Sequence, residues 1–173
     1  MQADQRILQM SWVVRDLEEA ALRWHRTTGI GPFIVNRHIP ITGGVHRGTP
    51  QKTDFSTAIA QAGSVQVELV EQHDDSPSCY RDMVAAGNEG MHHVAVIAED
   101  YDAAVARYTD QGHEIASSGN FGEVRFCYID TAAALGHMIE ILEDSRAICA
   151  FFAMIARAAE EWDGDTATLL REL

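Results

Sequence analysis

The chain has 173 residues, 46% of them hydrophobic, and is long enough to bury a core as one domain. Its 13 basic and 26 acidic residues give a formal net charge of −13, which disfavours nucleic acid and anionic lipid surfaces as partners. Its three cysteines lie far apart with no CxxC pair, which indicates neither a disulfide framework nor a thiolate zinc site.

The first half of the chain reads as β-α-β-β-β. The predicted segments are strands at 7–14, 34–39, 53–61 and 64–72 and a helix at 16–28. Asp16, with Glu19 three residues later, is typical of a helix start. Residues 62–63 are predicted to turn a hairpin between the last two strands, and residues 40–51, rich in turn formers, are predicted to be a loop.

The second half repeats this order after a polar stretch at 73–90, in which residues 78–86 predict a short helix. The predicted segments are strands at 91–98, 113–117, 121–130 and 136–144 and a helix at 100–111. Residues 145–162 then have near-helical apolar spacing. They predict a helix that packs on the body of the protein or on a second subunit.

The two halves have polar residues at equivalent places. A shift of 84 residues superimposes the two helix starts and pairs Gln9 with His93. A shift of 72 residues pairs VQVELVE with HMIEILE and lays Glu68 on Glu140. A duplicated supersecondary unit is the simplest explanation. Two halves related by pseudo-symmetry would bring these four side chains together.

Strand periodicity predicts which way these side chains point. Alternation puts Gln9 on one face with Ser11, and His93 on one face with Ala95, which leaves His92 on the opposite face as a packed or surface residue. One imidazole nitrogen and three oxygens suit a single divalent ion, with Zn²⁺, Ni²⁺, Co²⁺, Mn²⁺ and Fe²⁺ all compatible. The expected metal ligands are Gln9, Glu68, His93 and Glu140.

The motifs RDLEEAALRW, VELVE, GMHHVAV and HMIEILE, within residues 7–144, resemble the vicinal oxygen chelate superfamily. This superfamily includes glyoxalase I, methylmalonyl-CoA epimerase, extradiol dioxygenases and antibiotic resistance proteins. The resemblance implies an α+β fold in which two βαβββ modules form a cupped mixed sheet, a glyoxalase-like fold, with an added C-terminal helix. The expected single domain, 1–173, contains modules at 7–72 and 91–144, a linker at 73–90 and a helical extension at 145–173.

The resemblance also implies a metal-dependent lyase or isomerase that removes a proton next to a carbonyl, with Glu140 or Glu68 as the catalytic carboxylate. GMHHVAV resembles the epimerase branch, although Gln9 stands where that branch has histidine. Val13 and Gln72 stand where animal-type glyoxalase I has an arginine and an asparagine, which argues against glutathione as a co-substrate. The strand TDFSTAIAQ lacks the second glutamate base of the epimerase.

Two other functions stay open, an extradiol-type dioxygenase and a non-catalytic, resistance-type binding protein. Arg125 is expected to contact a substrate anion or to form a structural ion pair. The expected partners are a small-molecule carbonyl substrate and a second copy of the chain, with no nucleic acid and no membrane. Neither a leader-like N-terminus nor a bilayer-length apolar segment is seen, so a cytoplasmic location is expected.

Overall fold

The computed structural model describes residues 6–173, in which one mixed sheet of eleven strands is combined with five α-helices. The strands are β1 (Ile7–Val13), β2 (Phe33–Asn36), β3 (Ile41–His46), β4 (Thr49–Pro50), β5 (Phe55–Ala62), β6 (Val65–Gln72), β7 (Gly90–Ala98), β8 (Ile115–Phe121), β9 (Val124–Ile129), β10 (Met138–Glu143) and β11 (Leu170–Glu172). The helices are α1 (Leu17–Thr28), α2 (Cys79–Met83), α3 (Tyr101–Thr109), α4 (Ala132–Leu135) and α5 (Arg146–Glu160).

The sheet order shows the internal repeat. The order is β11-β2-β5-β6-β1-β7-β10-β9-β8-β3-β4, so β2-β5-β6-β1 is mirrored by β8-β9-β10-β7. Within each half the first strand runs parallel to the last, β1 to β6 and β7 to β10, and the halves meet through the antiparallel β1–β7 pair. The predicted α+β fold of two βαβββ modules is confirmed.

The first helix of each module begins where the sequence predicts. The Asp16 carboxylate accepts a hydrogen bond from the backbone N–H of Glu19, and that of Asp100 accepts one from Ala103. A side chain at this position satisfies a backbone donor that the first helical turn leaves free. Gly29, with φ of 78°, ends α1 in the left-handed region, where glycine has no steric penalty.

The prediction of a loop at residues 40–51 is wrong. This segment forms the β3–β4 hairpin, and β3 pairs with β8, which extends the edge of the second module. The glycines of this segment are typical of a loop, so the sequence does not indicate the strand. Gly44 is required in the hairpin because a Cβ there would lie 2.5 Å from the carbonyl oxygen of Gln51. The hairpin is held by long-range pairing rather than by local propensity.

The path of the chain makes the sheet curve into a cup. β2 and β3 lie near opposite ends of the strand order, yet only residues 37–40 connect them. Four extended residues span at most about 14 Å. The two ends of the sheet must therefore approach one another, and the central strands form the floor of the cup.

Helices cover both faces of the curved sheet. On the outer face, α1 packs on Val67 and Leu69, and α3 packs on the outward side chains of β7 and β10. α5 instead packs on Ile34 and Ile59, whose neighbours along the strands face α1, so this helix lies inside the cup. The predicted helix at 145–162 is confirmed and packs on the body of its own chain. Within residues 6–173, no helix is both long and apolar enough to cross a membrane.

The segment after α5 returns to the sheet and is not helical throughout, contrary to the predicted helical extension. β11 pairs in parallel with β2, and Leu169 is buried beside it. The ring of Trp162 packs against His25, and its indole N–H donates to the carbonyl oxygen of Asp165. These contacts fasten the end of α5 to the first module.

We expect Gly31→Ala to loosen this attachment. A Cβ at Gly31 would lie 2.5 Å from the Trp162 ring and 2.8 Å from the Leu169 side chain. Such overpacking typically costs about 1–3 kcal/mol, and urea denaturation should show that loss of unfolding free energy. In the control Gly90→Ala, the nearest atom to the new Cβ is on Val84 at 3.6 Å, so the change should stay within about 0.5 kcal/mol. Equal effects of the two variants would contradict the prediction.

Candidate active site

Four adjacent strands at the floor of the cup each carry one of the four predicted site residues, and all four are buried. In strand order β6-β1-β7-β10, these residues are Glu68, Gln9, His93 and Glu140. Ser11 lies opposite Glu68 on one side and opposite His93 on the other, so it stands between the two halves of the cluster. The side chains on either side of Glu68 and of Glu140 along the strand pack under α1 or α3, as do Met10 next to Gln9 and Val94 next to His93, so all four residues point into the cup.

Three of the four side chains touch. His93 Nε2 lies 3.3 Å from Glu68 Oε2 and 3.3 Å from Glu140 Oε2. Both are ion-pair distances, but within residues 6–173 this fully buried nitrogen has no partner with hydrogen-bond geometry. Gln9 lines the same chamber as both glutamates, and in the described chain its buried Nε2 also lacks a partner.

The chemistry of the donor set fits a divalent ion, although within residues 6–173 no group of three or more His, Cys, Asp or Glu side chains is placed so that it could hold a metal ion as it stands. Neighbouring ligands that each lie about 2.1 Å from one ion are about 3 Å apart. The two 3.3 Å contacts of His93 match that spacing. The amide of Gln9 can present either oxygen or nitrogen at its unpartnered position, because the two ends are exchanged by rotation.

The predicted orientation of His92 is wrong. Ser11 pairs with His93 while Trp12 pairs with Met91, so β7 has a bulge at His92. A bulge breaks the alternation of side chains and re-aims the extra residue. His92 is fully buried, its ring contacts Tyr80 and Tyr128 inside the cup, and its Nδ1 lies 2.9 Å from His93 Nδ1.

The pKa values of the two histidines are shifted in opposite directions. Burial, together with the neighbouring His93, lowers the pKa of His92 to about 3. Burial also disfavours charge on His93, but the Glu140 and Glu68 carboxylates outweigh it and raise the pKa of His93 to about 9. Without a metal, His93 is therefore a cation between two carboxylates at neutral pH, and the adjacent His92 is neutral.

A chamber of about 90 Å³ lies over this cluster. Its floor includes Gln9, Glu68 and Glu140, and its roof is formed by three side chains of α5, Ile148, Phe151 and Phe152. The carbonyl oxygen of Phe152 accepts a hydrogen bond from the side-chain amide of Gln66 on β6, which ties the roof to the sheet. Glu68 and Glu140 at its floor are only 8% and 7% exposed, and partial removal from water strengthens electrostatic interactions between them and their neighbours.

A larger cavity of about 510 Å³ adjoins the chamber and shares six lining residues with it: Ile39, Ile41, Phe55, Tyr80, Phe126 and Tyr128. The far wall of this outer cavity carries Lys52, the single lysine of the chain, and His38. The arrangement leaves room for a small group above the glutamates and a larger group in the outer cavity.

Two tyrosines that the sequence did not single out border both cavities. The hydroxyls of Tyr80 and Tyr128 lie 3.2 Å apart, and Tyr128 is the cross-strand neighbour of Glu140. Burial and the neighbouring acidic groups raise the pKa of both tyrosines well above the usual range, so both stay neutral proton donors. Alternation along β9 places Tyr128 on the same face as Phe126, and this pattern could have indicated from the sequence that Tyr128 faces inward. Tyr80 lies in the short helix α2, where no such pattern exists.

Arg125 forms a structural ion pair. Its guanidinium donates to Glu143 at 2.7 Å and to Asp102 at 3.0 Å, and it stacks over the ring of Tyr101. These partners belong to β10 and α3, on the outer side of the sheet. Of the two alternatives for this residue, the geometry supports the ion pair.

The paired modules and the polar cluster on their shared central strands define a protein of the glyoxalase fold. The chain belongs to the glyoxalase/bleomycin resistance protein/dioxygenase superfamily, whose family model matches residues 8–128. A comparison with curated proteins gives no significant match.

Solved structures show the same fold at low sequence identity. Methylmalonyl-CoA epimerase from Mycobacterium tuberculosis is 18% identical with a TM-score of 0.55, covering 87% of this chain and 97% of its own. A hypothetical protein from Bacillus halodurans is 14% identical with a TM-score of 0.56, covering 83% and 97%. A variant of Streptomyces coelicolor methylmalonyl-CoA epimerase in complex with 2-nitronate-propionyl-CoA is 17% identical with a TM-score of 0.53, covering 81% and 97%.

Proposed function

We propose that the chain is a metal-dependent lyase or isomerase that removes a proton next to the carbonyl group of a small molecule. The observation that carries this proposal is the convergence of Glu68, His93 and Glu140 below the chamber, where His93 Nε2 lies 3.3 Å from an oxygen of each glutamate. That spacing suits a divalent cation held by all three groups, which would take the place of the proton on this nitrogen.

Gln9, Glu68, His93 and Glu140 would hold the ion. When bound, a divalent metal polarises a substrate carbonyl and makes the adjacent C–H more acidic. The two glutamates balance its charge. His93 contributes the one nitrogen donor, and its place on the strand between β1 and β10 keeps it fully buried.

The proton-accepting group is one of the two glutamates. Each touches His93 through Oε2, and both carboxylates line the chamber. Inward positions of β5 carry Thr57 and Ile59, so in the described chain the carboxylates that line this chamber are Glu68 and Glu140. A carboxylate Oε of Glu140 or Glu68 would take the proton from the carbon next to the carbonyl.

The chamber limits the reacting part of the substrate to a few non-hydrogen atoms, because its volume is about 90 Å³. The remainder of the substrate would lie in the outer cavity, beside Lys52. The two residues that argue against glutathione make other contacts. Val13 is fully buried in the core, and the side-chain amide of Gln72 donates a hydrogen bond to Asp74. Several structural neighbours are methylmalonyl-CoA epimerases, one of them in complex with methylmalonyl-CoA, so an acyl-CoA is the first substrate class to test.

A dioxygenase function has less support from the geometry. An extradiol iron site uses two histidines and one carboxylate. His92 is close enough to be considered as a second histidine, but its two ring nitrogens face His93 Nδ1 and the carbonyl oxygen of Cys79. Neither nitrogen is directed at the glutamates.

The test combines metal loading with proton exchange. Chelator-treated protein is loaded separately with Zn²⁺, Ni²⁺, Co²⁺, Mn²⁺ or Fe²⁺, desalted and analysed for retained metal. It is then incubated in D₂O with acyl-CoA thioesters, α-ketoaldehyde adducts and cyclic ketones. We expect one metal ion per chain and metal-dependent deuterium incorporation next to the carbonyl in one of these classes. Protein that retained no metal and catalysed no exchange would instead favour a non-catalytic binding protein.

A further inference from the structure

We propose that His92 is a positioning residue that fixes the ring proton of His93 on Nδ1 and so directs His93 Nε2 toward Glu68 and Glu140. The inference deepens the proposed function and rests on it where it concerns metal affinity. Its structural basis is a chain of two contacts of 2.9 Å, from the carbonyl oxygen of Cys79 to His92 Nε2, and from His92 Nδ1 to His93 Nδ1.

The direction of the hydrogen bonds follows from the first contact. A backbone carbonyl oxygen only accepts, so the Nε2 of His92 carries a proton and donates it to Cys79. The neutral ring of His92 then has its lone pair on Nδ1. The contact between the two Nδ1 atoms holds a single proton, and that proton belongs to His93. The Nε2 of His93 is thereby the atom that faces the two carboxylates.

The surroundings of His92 support its neutral form. The ring is fully buried and contacts the rings of Tyr80, Tyr128 and His93. The nearby carboxylates contact His93 instead. The contacts of the His92 ring nitrogens are with the Cys79 carbonyl oxygen and with His93 Nδ1, one proton for each contact.

The two contacts from the Cys79 carbonyl oxygen through His92 to His93 Nδ1, called the relay below, exclude two alternatives for His93. A neutral ring protonated on Nε2 would place a proton against the metal position and leave two lone pairs facing each other at the Nδ1 contact. A ring flipped about its Cβ–Cγ bond would break the same contact. Leaving a buried hydrogen-bonding group unpaired costs about 1–3 kcal/mol, so both alternatives are disfavoured.

The bulge in β7 has a function in this arrangement. With regular alternation, His92 would face α3 together with Val94. The bulge turns it to the same side as His93, where it meets the linker. Cys79 is the first residue of α2, and the cap of this helix is held because Ser78 Oγ accepts from the N–H of Arg81 and donates to Gln72. The linker thus presents the carbonyl that orients the relay.

Two substitutions separate positioning from packing. In His92→Asn, the amide oxygen lies near the former Nδ1 position and can still accept from His93 Nδ1. In His92→Gln, the longer side chain places its amide near the former Nε2 position, where it can donate to Cys79 but does not accept from His93. Both variants lose the ring that packs against Tyr80 and Tyr128 to a similar extent.

We expect Zn²⁺ affinity, measured by competition with a chelating indicator, to fall about 10- to 100-fold in His92→Gln and only a few-fold in His92→Asn. Equal losses in the two variants would mean that His92 acts only through packing. Near-ultraviolet circular dichroism and urea denaturation of both variants establish that they are folded before the affinities are compared.

A second measurement uses the wild-type chain without metal. In protein labelled with ¹⁵N-histidine, the relay predicts a scalar coupling between the two Nδ1 nuclei across the hydrogen bond, with the proton assigned to His93. A proton on His92 Nδ1, or no coupling in folded protein, would overturn the inference. Wild-type protein that showed the coupling but bound no Zn²⁺ would support the placement of the proton and overturn the proposed metal site.

Discussion

Replacement of Glu140 by glutamine is expected to lower the rate of proton exchange in the metal-loaded enzyme by about 10²- to 10⁴-fold, the range that a general base typically contributes. Glutamine keeps the shape of the side chain but removes its charge and its capacity to accept the substrate proton. Glu140 is buried and touches His93 Nε2 at 3.3 Å, so the same change removes one of the carboxylates that balance a cation. Metal affinity should fall together with the exchange rate.

The measurement is deuterium incorporation in D₂O, with the retained metal counted on the same samples. Glu68→Gln distinguishes the roles of the two carboxylates. The variant that lacks the base should lose proton exchange even when it is fully loaded with metal, whereas the variant that lacks only a metal ligand should lose exchange through its lower metal content. Glu143→Gln is the matched control on the same strand, since this residue points to the outer face and pairs with Arg125. Exposed ion pairs contribute little, so the control should retain exchange and metal. An active Glu140→Gln enzyme at full metal loading would assign the base to Glu68 or to neither glutamate.

The parts of the fold that the sequence predicts are those set by local patterns. The helix caps at Asp16 and Asp100, the hairpin between β5 and β6, and the repeat of strand and helix in the two halves all follow from side chains close together in the chain. The β3–β4 hairpin and β11 do not. Each is a short strand whose partner, β8 or β2, is distant in sequence, so its local composition indicates a loop or a helix end.

The site divides in the same way. Alternation along regular strands, together with the 84- and 72-residue shifts, predicts that Gln9, Glu68, His93 and Glu140 face inward, and the structure places all four on the inner face of neighbouring strands. Alternation fails at His92 because a bulge is a property of the pairing between two strands, and neither strand shows it alone. The role of Gln9, Glu68, His93 and Glu140 as metal ligands stays a proposal.

The roof of the chamber is a tertiary feature that periodicity does not predict. The spacing in 145–162 indicates an apolar helical face but not the surface that covers it. That surface is the inside of the cup, where Phe151 and Phe152 line the chamber together with Glu68 and Glu140. Both α5 and β10, which carries Glu140, lie beyond the residues that the family model matches, so the family match by itself does not describe the finished site.

The metal-free protein is expected to lose stability as the pH rises above neutrality, and a bound divalent metal is expected to remove that loss. Burial opposes charge on His93, but Glu140 and Glu68 raise the pKa of His93 from its ordinary value of 6.5 to about 9 in the folded chain. The folded state therefore binds a proton more tightly than the unfolded state. The resulting stabilisation is fully present below pH 6.5 and is lost as the pH rises through 9.

Urea denaturation of chelator-treated protein between pH 6.5 and 9 measures this dependence. The loss is expected to reach about 3 kcal/mol at most, because each tenfold change in proton affinity corresponds to about 1.4 kcal/mol. A metal ion replaces the proton on His93 Nε2, so stabilisation by metal should increase with pH over the same range. The control is the double variant Glu68→Gln with Glu140→Gln, in which nothing raises the pKa of His93. If that variant loses as much stability as the wild type between these pH values, the carboxylates do not hold a proton on His93, and the charge balance assigned to the site is wrong.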